Sequence, residues 1–317
     1  MTSGGAVAGA GRYAPSPSGN LHLGNLRTAL VAWLCARTSR RAFRVRVEDL
    51  DRARDAGTAN QQLDDLSAIG IDWDGAVVYQ TDRGASHQAA IRRLDDAGLV
   101  YECTCTRREI LAAPSAPHGA PGAYPGTCRD RTDAERRAAR DRIAPRLPAL
   151  RLRSPLADLR DGVEFRDVVL GAQRGEVDDL VLQRGDGTVA YNLAVVVDDH
   201  GTGVDQVVRG DDLAPSTPRQ VMLQRLLGLP TPEYAHVPLV LGPSGARLAK
   251  RDGAVTLGEL ASAGVGPEEV VAVLARSLGL AASGERPTAA ALAERFDPSA
   301  LPSAPWTFSP DALGSDA

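Results

Sequence analysis

One local pattern occurs in both halves of this 317-residue chain, and it restricts the fold more than any other feature. A short apolar segment runs into a cluster of acids, and a loop leads on to a helix. Phe43 to Val47 alternates apolar residues with Arg44 and Arg46 as a strand does, then closes on Glu48, Asp49 and Asp51. Tyr191 to Val197 is apolar and β-branched and closes on Asp198, Asp199 and His200, which also reads as a strand. Val204 to Arg209 reads as another, ending in Gly210, Asp211 and Asp212. Ahead of the first strand, a loop rich in Pro, Ser and Gly from Gly11 to Asn25 gives way to Leu26, Ala29, Leu30, Trp33 and Leu34, the stripe of an amphipathic helix. Thr217 and Pro218 open a second helix. Strands that end in charge beside helix starts predict an open α/β sheet with a ligand at its carboxyl edge, where free N–H groups attract phosphate.

With 43% hydrophobic residues the chain can form one large core or two moderate ones. The predicted organisation is a first α/β half over 12–100, an insertion over 101–189, a second half over 190–254, a small helical unit over 255–298 and a poorly ordered, proline-rich tail over 299–317. No internal repeat or heptad pattern is present. No apolar run approaches the ~18 residues of a membrane span, and the start lacks the basic and apolar regions of a secretory signal, so a cytoplasmic protein with no membrane partner is expected.

The net charge of -4 argues against a general polyanion binder. One stretch opposes the mean: Arg129 to Arg153 holds nine arginines against Asp130, Asp133, Glu135 and Asp141, a local balance of +5. Thr132 with Glu135 three residues on is a capping box, so much of this stretch is predicted to be an arginine-studded helix, either a solvated face or a nucleic-acid surface.

Cys103, Cys105 and Cys128 lie close together without a secretory signal, which favours a structural metal knuckle over disulfides, with zinc as the ion suited to thiolates. Tyr124 and His118 lie between them, and ligand chemistry alone prefers the histidine as the fourth donor. Cys35, alone on an apolar helix face, reads as core. Among 36 basic residues only Lys250 is lysine, in the loop from Gly242 to Gly253. A compact ammonium on a flexible stem can follow a phosphoryl group, which makes Lys250 a candidate for chemistry.

In sequence order, five segments resemble class I aminoacyl-tRNA synthetases of the glutamyl group. These are Arg12 to Ala29, with His22, Gly24 and Asn25; Val45 to Asp51, with Glu48; Tyr191 to Arg209; Ser216 to Gln220; and Arg247 to Arg251. The cysteine-and-tyrosine knuckle, and too little chain after Ala254 for an anticodon-binding domain, make the chain similar to the short glutamyl-queuosine tRNA(Asp) synthetases. The resemblance implies a Rossmann-like catalytic domain with an inserted zinc-containing acceptor-type subdomain and a small helical C-terminal unit. It implies activation of L-glutamate by ATP with Mg2+, without tRNA, and transfer of glutamate to queuosine in tRNA(Asp). His22, Asn25 and Lys250 are implied as catalytic, with Gly24 beside them at ATP. Arg12, Ala14, Ser16, Glu48, Tyr191 and Arg209 are implied at glutamate. Cys103, Cys105, Tyr124 and Cys128 are implied around one structural zinc per chain, which settles the fourth ligand as Tyr124. Arg247 and Ala249 depart from the lysine and serine usual in the mobile loop. The alternatives are a truncated enzyme charging tRNA(Glu) and an inactive tRNA-binding module.

Overall fold

Strand β1 (Ala10–Tyr13) is buried over its whole length and leads through the Pro- and Ser-rich loop into α1 (Leu23–Thr38). The computed structural model in which this is seen describes residues 9–112, 124–155, 162–246, 248 and 255–309. A Cβ at Gly11 would stand 2.8 Å from the Ala36 Cβ, so glycine lets α1 lie against β1. The predicted stripe on α1 is too narrow: from Leu23 to Ala36 only Gly24, Asn25 and Thr28 escape full burial. The helix is central to the molecule and covered on nearly all sides.

The chain continues through β2 (Ala42–Val47), α2 (Ala59–Ala68), β3 (Val78–Tyr79), α3 (Gly84–Asp96), β4 (Val100–Cys103) and α4 (Arg107–Ala112). It then forms α5 (Asp133–Ile143), β5 (Ala149–Leu152), β6 (Val163–Asp167), β7 (Gly171–Gly175) and β8 (Val181–Gln183). The capping box at α5 is as predicted, with Thr132 Oγ1 accepting from the Glu135 N–H and the Glu135 carboxylate accepting in return. The stretch expected as one insertion is divided. Strands β4, β5 and β8 make their own antiparallel sheet, whereas the β6–β7 hairpin joins the main sheet. Val163 and Phe165 pack in the core around Tyr234, which Leu152 and Leu182 of the small sheet also enter.

Next come α6 (Tyr191–Gly201), β9 (Val204–Gly210), α7 (Thr217–Leu226), β10 (Glu233–Val237) and β11 (Val240–Leu241). The run from Tyr191 is therefore a helix, against the strand expectation. Leu193 to Asp199 is buried on every side, so its sequence shows no helical period and cannot be told from a buried strand. The α7 cap also moves by one residue. Ser216 occupies the N-cap, and Thr217 is the first helical residue.

The main sheet has the order β3-β2-β1-β9-β10-β6-β7, parallel except for the β6–β7 pair. Neighbouring residues such as Val207 and Val208, or Tyr234 and Ala235, enter different cores, as side chains on opposite faces of a strand do. One core packs α1 under α9 (Pro267–Ser277) and α10 (Ala289–Arg295), which follow α8 (Leu257–Ser262). The other packs α3, α6 and α7. The tail expected from residue 299 is ordered through Ser309. Strand β12 (Trp306–Thr307) pairs in parallel with β11, and Phe308 is buried in the first core. Two apolar aromatic side chains near the end outweigh the prolines that suggested disorder. No described helix is long and apolar enough to cross a membrane.

Candidate active site and metal knuckle

The strand order reverses between β1 and β9, and the carboxyl ends of these strands open into a cleft of about 650 Å³. Such a reversal is where open α/β sheets bind ligands. Arg12, Ala14, Ser16, His22, Gly24, Asn25, Glu48, Tyr191 and Arg209, all expected at the site, line this one cleft. The loop from Ala14 to Asn20 is fixed by backbone contacts. Glu48 N–H donates to the Pro15 carbonyl at 2.9 Å, and buried Gln62 donates to the carbonyls of Ser16 and Gly19 at 3.0 and 2.6 Å.

His22 is the N-cap of α1. Its Nδ1 accepts from the N–H groups of Gly24 and Asn25 at 3.1 and 3.4 Å, while Asn25 Oδ1 accepts from the His22 N–H at 3.2 Å. With Nδ1 as acceptor, a neutral imidazole holds its proton on Nε2. A Cβ at Gly24 would press on the ring, 3.0 Å from Cε1, so glycine here serves the His22 fold-back. The helix start thus joins a dipole and an imidazole donor, a set suited to phosphate.

The opposite wall concentrates charge. Arg12 donates to the Val208 carbonyl at 3.0 Å and lies 3.5 Å from Asp199 Oδ1. Arg46 donates to Asp199 at 2.5 Å and to Glu48 Oε1 at 3.1 Å. Burial pushes Asp199 up, but the guanidiniums of Arg46 and Arg12 outweigh it and hold the carboxyl below its usual range. Burial dominates at Glu48 and leaves its carboxyl above the usual range despite Arg46. Arg209 donates through Nε to His236 Nε2 at 3.0 Å and through Nη2 to Thr217 Oγ1 at 2.9 Å. Two guanidiniums, one carboxylate and the Tyr191 phenol facing one space can hold a zwitterion that carries a second carboxylate.

Sequence reasoning missed Arg46, Asp199, His236 and Asp167. Arg46 was visible only as the polar phase of a strand, and Asp199 only as part of an acidic terminus. Lys250 lies outside the described residues, as does His118. The loop that holds Lys250 is anchored at both ends beside the cleft. Leu248 N–H donates to the carbonyl of Val240, a residue of the cleft wall, and Leu23 N–H donates to the Val255 carbonyl next to the His22–Thr256 bridge.

A second cluster stands at the end of the small sheet. The sulfurs of Cys103, Cys105 and Cys128 all lie within 4.8 Å of one another, and Tyr124 Oη is 3.4 Å from Cys103 Sγ and 3.9 Å from Cys105 Sγ. Four donors tetrahedrally arranged about a soft divalent ion would stand about 3.5–3.8 Å apart, so this set can hold a metal. The Cys103 thiol, as hydrogen-bond donor, holds Cys128 down at about 4, whereas the same bond raises Cys103. The Arg151 guanidinium lies 3.8 Å from the Tyr124 ring centroid and fixes that ring against β5.

Comparison with known proteins agrees with this geometry. A family model described as the catalytic domain of class I tRNA synthetases (E and Q) matches residues 10–314. The glutamyl-Q tRNA(Asp) synthetase of Nocardia farcinica is 61% identical, covering 97% of this chain and 95% of its own. The protein of the same name from Symbiobacterium thermophilum is 46% identical over 93% of this chain and 94% of its own. Among solved structures, a glutamate tRNA ligase from Elizabethkingia meningosepticum in complex with its amino acid superposes with a TM-score of 0.81 at 25% identity, covering 98% of this chain and 68% of that one.

Proposed function

Because this chain belongs to the class I tRNA synthetases of the E and Q type, we propose that it activates L-glutamate with ATP and passes the glutamyl group to queuosine in the anticodon of tRNA(Asp). The observation that carries the reading is the single cleft at the β1/β9 reversal. There Arg12, Glu48, Tyr191 and Arg209 face the capped start of α1.

In the first step an α-carboxylate oxygen of glutamate attacks the α-phosphorus of ATP. The new O–P bond forms as the bond to the bridging oxygen of pyrophosphate breaks, giving glutamyl-adenylate without a covalent enzyme intermediate. Catalysis is then alignment plus charge stabilisation. Arg209 and Arg12 receive the carboxylates, and Ala14 and Ser16 shape the wall. Glu48 holds the ammonium through the oxygen that Arg46 leaves unused, and Tyr191 adds a neutral hydrogen bond. His22 offers Nε2–H to the phosphates, with Gly24 and Asn25 at the helix start. Lys250 stabilises the departing pyrophosphate. It follows Leu248, whose N–H donates to the Val240 carbonyl on the cleft wall, by two positions in the sequence. Magnesium would come with the nucleotide and would supply charge neutralisation.

Cys103, Cys105, Tyr124 and Cys128 hold one structural zinc. Three thiolates and a phenolate would supply a full set of protein donors, so the ion would serve structure and not activate a water.

Glutamate-dependent exchange of labelled pyrophosphate into ATP, run without tRNA, tests activation. Exchange that disappears in Lys250→Ala supports the mechanism, and no exchange in the unaltered chain would leave an inactive module. Transfer is tested by labelling tRNA(Asp) with and without queuosine. Labelling of tRNA(Glu), or equal labelling of both forms of tRNA(Asp), would replace the proposed acceptor.

A further inference from the structure

Arg209 is one end of a buried polar chain that extends away from the cleft. His236 stands directly beside it on the neighbouring strand, in the register His236↔Arg209, and is wholly buried between Phe165 and Tyr234. Behind His236, Asp167 closes β6. Its Oδ2 lies 2.6 Å from His236 Nδ1, and its oxygens also accept the N–H groups of Val169, Leu170 and His236. A carboxylate saturated with donors can only accept, so Nδ1 carries the imidazole proton and Nε2 presents its lone pair to Arg209 Nε–H at 3.0 Å.

With Thr217 Oγ1 on Nη2 at 2.9 Å, this occupies the Nε/Nη2 edge of the guanidinium. The other end of the fork, Nη1 and the second Nη2 hydrogen, is left for the cleft that Arg209 lines. We propose that Asp167 and His236 are positioning residues for amino-acid recognition: Asp167 sets the His236 tautomer, and His236 holds the Arg209 fork end-on toward the substrate carboxylate. This rests on the reading of Arg209 as a glutamate-binding residue. The burial of both groups explains the need for such a chain. An unanchored guanidinium would lose much of its binding to rotamer freedom, and a protonated His236 would turn a donor toward a donor.

The test uses the two half-mimics of histidine in pyrophosphate exchange. His236→Gln places an acceptor near Nε2 and keeps the Arg209 contact. His236→Asn places a donor near Nδ1 and keeps only the Asp167 contact. Losing one hydrogen bond to a charged group should raise the glutamate KM about tenfold or more in His236→Asn. We expect the ATP KM to change less than about twofold, and His236→Gln to recover most of the glutamate KM, since each mimic spares different bonds. Unfolding midpoints of both variants show whether they are equally folded. Glutamate KM values that match in two folded variants, or an ATP KM that moves with glutamate KM, would overturn the chain of positioning. No glutamate-dependent exchange in the unaltered protein would overturn the underlying reading as well.

Discussion

At the level of single residues, Glu48 and Asp199 show how one pair of guanidiniums sets two different carboxylates. Asp199 receives both Arg12 and Arg46 and is held ionised, whereas Glu48 receives only one edge of Arg46 and stays above its usual range through burial. Binding an ammonium requires the ionised form of Glu48. The raised carboxyl therefore predicts that the glutamate KM climbs as pH falls toward that shifted pKa and is lowest above it. In Glu48→Gln the KM should be high and depend on pH only through the substrate's own groups. Exchange kinetics across the acidic range compare the two, and parallel curves would remove Glu48 from this role. Asp199→Ala should act on stability instead, because it leaves two buried guanidiniums without their shared partner. The expected loss is about 3–5 kcal/mol in urea unfolding, with Asp199→Asn less severe. An alanine variant within about 1 kcal/mol of the unaltered chain would show that solvent compensates them.

Among elements, the helix start at His22 and the strand end at Cys103 place chemistry where backbone geometry changes. His22→Ala removes the side-chain cap of α1 and should cost about 1 kcal/mol, whereas His22→Asn restores a cap without the reach of Nε2. Thermal unfolding should separate the two variants, while exchange activity should fall in both. At the small sheet, Cys128→Ser should reduce zinc below about one per chain by the ligand count. It should also destabilise β4, β5 and β8 as measured by hydrogen exchange. Full stability of metal-free protein would exclude the structural zinc. The elements also show what sequence can reveal. The loop before α1, the capping box of α5 and strand β9 were legible because each depends on local chemistry. Helix α6 was not, since a segment buried on all sides loses its period. His236 and Asp167 were invisible for another reason. They lie 69 positions apart and meet only because β6 leaves the insertion to pair with β10.

At the scale of the whole molecule, the ordered C-terminal segment joins the cleft to the helical cover of α1. Arg27, buried on α1, donates to Ser277 Oγ at 2.9 Å and to the Pro238 carbonyl at 3.1 Å, and burial lowers its pKa to about 10. It thereby ties α9 to the segment just before β11. Strand β12 holds β11 from the other side, with Phe308 N–H donating to the Leu241 carbonyl at 2.9 Å. The loop with Lys250 leaves from β11 and returns beside His22, so its departure point is fixed by residues near the end of the sequence. Two short strands give no sequence period, and their pairing joins Val240 and Trp306, 66 positions apart. Phe308→Ala should remove a fully buried ring and cost about 3–5 kcal/mol. Because Val240 of β11 also lines the cleft wall, the same variant should raise the ATP KM in exchange more than the glutamate KM. Phe308→Leu, which keeps most of the volume, should lose less than about 1.5 kcal/mol and leave the ATP KM near its original value. A large loss of stability with both KM values unchanged would confine Phe308 to packing and detach the C-terminal strand from the nucleotide side of the site.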